Sequence, residues 1–191
     1  MQTKKLVLIA VLSSVAFLLM MINMPLPFLP AFLKIDGSEL PALIAAIMLG
    51  PVAGVSVEAL KNLLHFIMFG SPTGIPIDQV ANFLAGTFFI VPTYFVFKKI
   101  NSVKGLILGL AVGSVSMAIV MSILNYYAIL PLYTALLNMP TMSGEEIRAL
   151  IVAGIIPFNL IKGLAVSVLF VLIYPKLSSV MRKSSYVDEA A

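Results

Sequence analysis

Apolar stretches about as long as a bilayer is thick follow one another from residue 6 to residue 175, and Pro and Gly interrupt them more often than charge does. A helical span of the hydrocarbon core takes roughly 20 apolar residues. A chain of 191 residues therefore has room for about seven or eight spans and no sizeable soluble domain. The balance of residue types agrees: 61% are hydrophobic and 10% charged, against roughly 45–50% and 25% in soluble proteins. With a mean hydropathy of +1.10, there is too little polar surface to cover one core, so most of the apolar surface must face the lipid bilayer. A single all-α integral membrane domain is expected over 1–191. Twelve Lys and Arg against eight Asp and Glu give +4, which in a membrane chain reports loop orientation and is no reason to expect nucleic acid as a partner. The absence of Cys rules out disulfides, thiolate metal sites and Cys nucleophiles.

Six spans follow from the breaks: roughly 5–23, 39–50, 52–69, 76–97, 103–137 and 147–175, with a polar tail over 177–191. Ser14-Val15-Ala16 imitates a signal-peptide cleavage site, but the apolar run continues through Phe17–Ile22 and has the length of a first span. The stretch before Gly50-Pro51 is too short to cross comfortably, so that helix is short or tilted. Residues 23–38 carry three prolines among Phe28, Leu29, Phe32 and Leu33, which forbids a regular helix. Such an apolar external loop either rests on lipid or forms a lid over a pocket. An even number of spans puts both termini on one side. Lys4, Lys5, Lys98, Lys99, Lys104, Lys176, Arg182 and Lys183 share that side, against Lys34 and Arg148 on the other, so the positive-inside rule makes both termini cytoplasmic. Tyr126, Tyr127 and Tyr133 towards one face, with Tyr94 and Tyr174 towards the other, are candidate interface anchors.

An ionisable group at mid-bilayer costs about 2.5–3.5 kcal/mol on insertion scales, and Glu58, Lys61 and Lys162 all sit inside spans. Glu58 and Lys61, three apart, share a helical face and read as an internal ion pair. Lys162 has no partner on its own helix, and Asn159 lies one turn before it. The bland alternative is that Lys162 pairs with Glu58 across the bundle while Asn159 bridges helices. Asn125 lies about twelve residues, or roughly 18 Å, from the external end of its helix. Asn159 lies at a similar depth and Asn82 is shallower. Three amides and an ammonium thus converge on the external half of the bundle, beneath the apolar loop, as in a pocket with apolar walls and a few placed polar groups. Asn both donates and accepts whereas Lys only donates, which suits the edge of a planar heterocycle with carbonyls, ring nitrogens and an imide N–H.

The remaining motifs are weaker. His65, the single histidine, has no metal-ligand set beside it. Gly105, Gly109 and Gly113, and the pair Ala10 and Ser14, read as close helix packing. There is no P-loop, no Ser/His/Asp constellation and no internal repeat, so energy for transport has to come from another subunit.

The segments Lys34-Ile35-Asp36, Val57-Glu58-Ala59-Leu60-Lys61-Asn62, Gln79-Val80-Ala81-Asn82-Phe83, Ser122-Ile123-Leu124-Asn125-Tyr126 and Pro157-Phe158-Asn159-Leu160-Ile161-Lys162-Gly163 together resemble one family along nearly the whole chain. It is the substrate-binding S components of energy-coupling factor (ECF) vitamin transporters, of the riboflavin-specific RibU type. The resemblance implies a six-helix subunit in a prokaryotic plasma membrane that captures riboflavin from outside under its first loop. It also implies docking on a transmembrane coupling subunit driven by two cytosolic ATPases, and tipping of the whole subunit to release its ligand. Riboflavin is the transported ligand, and no cofactor is expected. Asn125, Asn159 and Lys162 match residues that contact the flavin in this family, and the candidate substrate-binding set comprises them with Asn82, Glu39 and Leu40. Ala10 and Ser14 match the family's Ala-xxx-Ala docking motif, with Ser in place of the second Ala.

Three other readings are distinguishable. An S component for another vitamin, such as thiamin, differs in a binding screen. An intramembrane enzyme using Glu58 and His65 predicts turnover that is lost in Glu58→Gln. A structural subunit predicts no ligand.

Overall fold

The computed structural model describes residues 2–30 and 32–183; of the expected polar tail, 184–191 lies outside the described residues. The chain folds as α1 (Gln2–Met21), a loop pinned by β1 (Met24–Pro25) and β2 (Lys34–Ile35), α2 (Glu39–Leu49), α3 (Pro51–Phe69) and α4 (Ile77–Ile100). Then come α5 (Val103–Leu124), a π-helical turn (Asn125–Ile129), α6 (Leu130–Leu136), α7 (Gly144–Leu150), a second π-helical turn (Ile151–Ile155) and α8 (Ile156–Lys183).

Among the described residues, five helical stretches are long and apolar enough to cross a membrane: 3–21, 51–69, 77–100, 103–136 and 144–179. The sixth element, α2, has 11 residues, about 16 Å at 1.5 Å per residue, or half the hydrocarbon thickness. It is the short helix expected from the sequence, and burial explains how it survives. Most of it, from Glu39 through Pro41–Leu43 to Ala45–Met48, is buried inside the bundle, so protein and not lipid surrounds it. Gly50 at φ 99° ends it, a backbone conformation that side chains disfavour. Pro51 then opens α3, where its missing N–H costs nothing. The two helices form a hairpin in which Glu39 and Lys61 are equally far along the chain from Gly50. Since α3 runs on to Phe69, that level lies about 12 Å below its outer end. The first loop therefore descends into the bundle before α2 begins.

The main core joins α2 to its neighbours through Leu43, Ala46, Val57, Phe89, Ile90, Leu110 and Phe170. At the crossing of α4 and α5, a Cβ on Gly109 would stand 2.6 Å from Thr93 O. Thr93 Oγ1 donates to Phe89 O at 2.7 Å and Gly109 O at 3.1 Å, so the glycine stripe does mark a close approach of backbones. Ala10 and Ser14 behave differently. Both are exposed on α1, off its buried face of Ser13, Ala16 and Met20, so among the described residues they are not part of the packed core. Tyr94 is buried and Tyr174 packs on Phe97 and Phe170. Tyr94 thus turns into the bundle, while Tyr174 is half-buried against the core.

α7 starts earlier than the expected 147, where Ser143 and Glu146 form a capping box: Ser143 N donates to Glu146 Oε2 at 2.7 Å and Glu146 N to Ser143 Oγ at 3.3 Å. α8 runs through Pro175 to Lys183. A proline removes one hydrogen bond from a helix and bends it without always ending it.

The first loop folds over the second π-helical turn and the start of α8, as a lid would. β1 and β2 pair antiparallel, Met24 opposite Ile35 and Pro25 opposite Lys34, closing its neck. Leu33 is buried against Ile151, Ile155 and Phe158, with Leu26, Leu29, Ile35 and Tyr126 packed around them.

Candidate functional site

Five charged side chains meet where the lid joins α2. Lys61 Nζ lies 2.9 Å from Glu58 Oε2, 3.5 Å from Glu39 Oε1 and 2.5 Å from Ser38 Oγ, to which it donates. Lys162 Nζ, from α8, lies 2.7 Å from the same Glu39 Oε1 and 3.9 Å from Asp36 Oδ2. Asp36 Oδ1 accepts the Ser38 N–H at 2.8 Å, which fixes the loop's last turn. Glu39, Glu58 and Lys61 are fully buried and Lys162 is 3% exposed. Pairing is what makes such burial tolerable, since stranding one member of a buried pair costs about 3–5 kcal/mol.

The expected Glu58–Lys61 pair is present. The partner of Lys162, however, is Glu39 with Asp36, not Glu58. The two lysines also differ in capacity. An ammonium has three N–H donors. Lys61 has three close partners, whereas Lys162 has one short contact and one at 3.9 Å, so Lys162 retains donor capacity for a ligand.

Asn125 and Asn159 are each nine-tenths or more buried. Asn125 Nδ2 donates to Met121 O at 2.7 Å and Asn159 Nδ2 to Ile155 O at 2.8 Å. A carbonyl only accepts, so both amides are oriented by chemistry, with Oδ1 and the second N–H turned away from their own helices. Asn125 opens the first π-turn, and Asn159 bonds back to Ile155, the last residue of the second. Leu130 N–H reaches back to Asn125 O, and Ile156 N–H to Ile151 O. Such turns insert one residue into a helix and recur at functional sites. One turn outward of Asn159, the apolar lid cluster of Leu33, Ile155 and Phe158 begins.

Of the other candidates, Leu40 packs into the main core, and its N–H donates to Gly37 O at 3.1 Å. Asn82 Oδ1 accepts from Asn62 Nδ2 at 3.3 Å. No hydrogen bond among the described residues joins Asn82 to Asn125, Asn159 or Lys162. Glu58 is held by Lys61, while His65 Nδ1 sits 3.1 Å from Gln79 Nε2, so the imagined acid–base pair is two separate contacts. Asp36 and Ser38 were missed as site residues. Their signal was the polar run Asp36–Glu39 immediately before an apolar helix, a helix-start pattern whose hydroxyl here serves Lys61 instead of capping.

A cavity of about 500 Å³ opens at the outer end, between Leu130, Thr134, Asn138, Met139, Met142 and Ile147. Its lining does not include Asn125, Asn159 or Lys162, which lie inward of it, but Ile147 also borders the lid cluster. Two amides and an ammonium form a buried polar floor inward of the first loop's apolar cluster, and the cavity opens to one side of that cluster.

Comparison with known proteins gives a consistent answer. Residues 4–174 match the family described as ECF transporter, substrate-specific component. The riboflavin transporter FmnP of Bacillus subtilis is 54% identical over 93% of this chain and 93% of its own. The riboflavin transporter RibU of Staphylococcus aureus is 42% identical over 95% of this chain and 94% of its own. A solved structure described as "Structure and mechanism of the S component of a bacterial ECF transporter" superposes with a TM-score of 0.81 at 42% identity, covering 95% of this chain and 99% of that one. With apolar spans, a buried polar floor and full-length similarity in agreement, this multi-pass membrane protein belongs to the substrate-specific component family of ECF transporters.

Proposed function

We propose that the chain captures riboflavin from outside the cell and delivers it as the substrate-specific subunit of an ATP-driven ECF transporter. The observation that carries this is the 54% identity, over nearly the whole of both chains, to a protein named a riboflavin transporter. The site chemistry supports it. Riboflavin is neutral at pH 7, so its rings suit the apolar cluster under the lid, and its pyrimidine edge needs both donors and acceptors. Asn125 and Asn159 offer Oδ1 acceptors and a spare N–H each, and Lys162 offers a charged donor. Glu39 and Leu40 root the lid beside them, and Asn82, bonded to Asn62, is the remaining candidate contact.

In this reading the termini are cytoplasmic, in the plasma membrane of a prokaryote. The exposed Ala10 and Ser14 on α1 are the contact for a transmembrane coupling subunit, itself driven by two cytosolic ATPases. The absorbance spectrum of the detergent-purified protein tests the ligand, with flavin bands expected from copurified vitamin. Titration of ligand-stripped protein with riboflavin and with thiamin completes the test. Binding of thiamin and not riboflavin would overturn the proposal.

A further inference from the structure

We infer that Glu58 and Lys61 are positioning residues of the ligand site, acting through Glu39 to keep the Lys162 ammonium available to the bound molecule. This deepens the riboflavin reading above and rests on Lys162 being a ligand contact. The four groups form a chain of alternating sign across three helices: Glu58 and Lys61 on α3, Glu39 on α2, Lys162 on α8. The contacts are 2.9, 3.5 and 2.7 Å in that order. Both ammonium groups lean on one oxygen, Glu39 Oε1, and therefore share its charge. Lys61 draws that oxygen's field towards α3, and what remains holds Lys162 in place without consuming its whole donor capacity. Glu58 sets how much of Lys61 is left for Glu39. Glu58 and Lys61 are fully buried, and among the described residues their ion pairs reach Lys162 only through Glu39, so neither needs to touch the ligand to matter.

Gly86 supports the idea that this placement is specific. The Glu58 carboxylate rests against the backbone of α4 at Gly86, where any Cβ would overlap it. A methyl group at that position pushes on Glu58 from behind, with no change of charge.

Purified full-length protein in detergent, titrated with riboflavin by fluorescence quenching, tests the inference by double-mutant cycles. Lys61→Met should raise the dissociation constant roughly three- to tenfold, because Glu39 then holds Lys162 alone, and Lys61→Arg should recover most of the loss. In a Lys162→Met background, Lys61→Met should add nothing. Lys61→Met strands Glu58, so the pair Glu58→Gln with Lys61→Met and the uncharged change Gly86→Ala are measured beside it, with the same dependence on Lys162 expected. A merely structural role predicts equal losses in both backgrounds, and that additivity would overturn the inference while leaving riboflavin as ligand. Unchanged affinity in Lys162→Met alone would overturn it too. Failure of the unsubstituted protein to bind riboflavin would instead overturn the proposed function.

Discussion

An ammonium buried in a bilayer needs a compensating charge, and Lys162 has one in Glu39 at 2.7 Å. That makes Lys162→Met an informative substitution: Glu39 keeps Lys61, while Asp36 loses its 3.9 Å partner, so the unfolding midpoint is measured beside the affinity to read the effect on the ligand apart from folding. A hydrogen bond to a charged group contributes about 1.5–3 kcal/mol, so the riboflavin dissociation constant should rise roughly tenfold or more, and a fluorescence titration measures it. An unaltered constant would remove Lys162 from the site. The amides offer a second comparison. Asn159→Asp sets a carboxylate against the Ile155 carbonyl, where Asn159 now donates at 2.8 Å. It should lower the midpoint of thermal unfolding and weaken riboflavin more than Asn159→Ala does. The reverse ranking would mean that the amide's hydrogen bond to its own helix does not orient it. These residues were legible in the sequence because polar groups in apolar runs stand out. The Glu58–Lys61 pair was legible because spacing along one helix fixes which side chains are neighbours. The partners of Lys162 were not, since Asp36 and Glu39 are far upstream and helical periodicity carries no information about which face meets which neighbouring helix.

Helix spans and their order were readable because length and punctuation determine them. Gly50-Pro51 announced the α2–α3 hairpin, and Ser143-Gly144-Glu145-Glu146 carried a capping signature that places the start of α7. The π-turns at Asn125–Ile129 and Ile151–Ile155 were hidden, because one inserted residue leaves an apolar run looking continuous. Two predictions belong to elements. At the α4–α5 crossing, the Cβ of Gly109→Ala would stand 2.6 Å from Thr93 O. Overpacking of this kind costs about 1–3 kcal/mol and should appear as a lower unfolding midpoint in detergent; an unchanged midpoint would show that the crossing has slack. On α1 the expectation is opposite. Ala10 faces outward beside the exposed Val7, Val11 and Ser14, so Ala10→Leu should leave both the midpoint and riboflavin affinity unchanged while abolishing uptake by cells. Normal uptake would put the docking contact on another face.

For the whole molecule, direction is the property on which capture depends, because a lid and polar floor are useful for uptake only if they open outward. The charge count argues for one direction: eight Lys and Arg near one membrane face, two near the other, and two buried in the bundle. The lid segment at Lys34 and the loop before α7 share the sparse side, while the turn after α4 belongs to the rich one. The chain has no cysteine, so a single introduced thiol reports its own position with no background from the chain. Thr141→Cys and Lys99→Cys replace exposed side chains at opposite ends of the bundle. The loss of one positive charge at Lys99 leaves seven on that face, too small a change to reverse the bias. In intact cells a membrane-impermeant maleimide should label Thr141→Cys and spare Lys99→Cys, and permeabilisation should make the second reactive. Saturating riboflavin added outside should then slow labelling at Thr141→Cys if the mouth beside the lid narrows around its ligand, since Thr141 borders the 500 Å³ cavity. Labelling of Lys99→Cys in intact cells would invert the bundle, turn the lid towards the cytoplasm and leave a protein that binds riboflavin on the wrong side to import it.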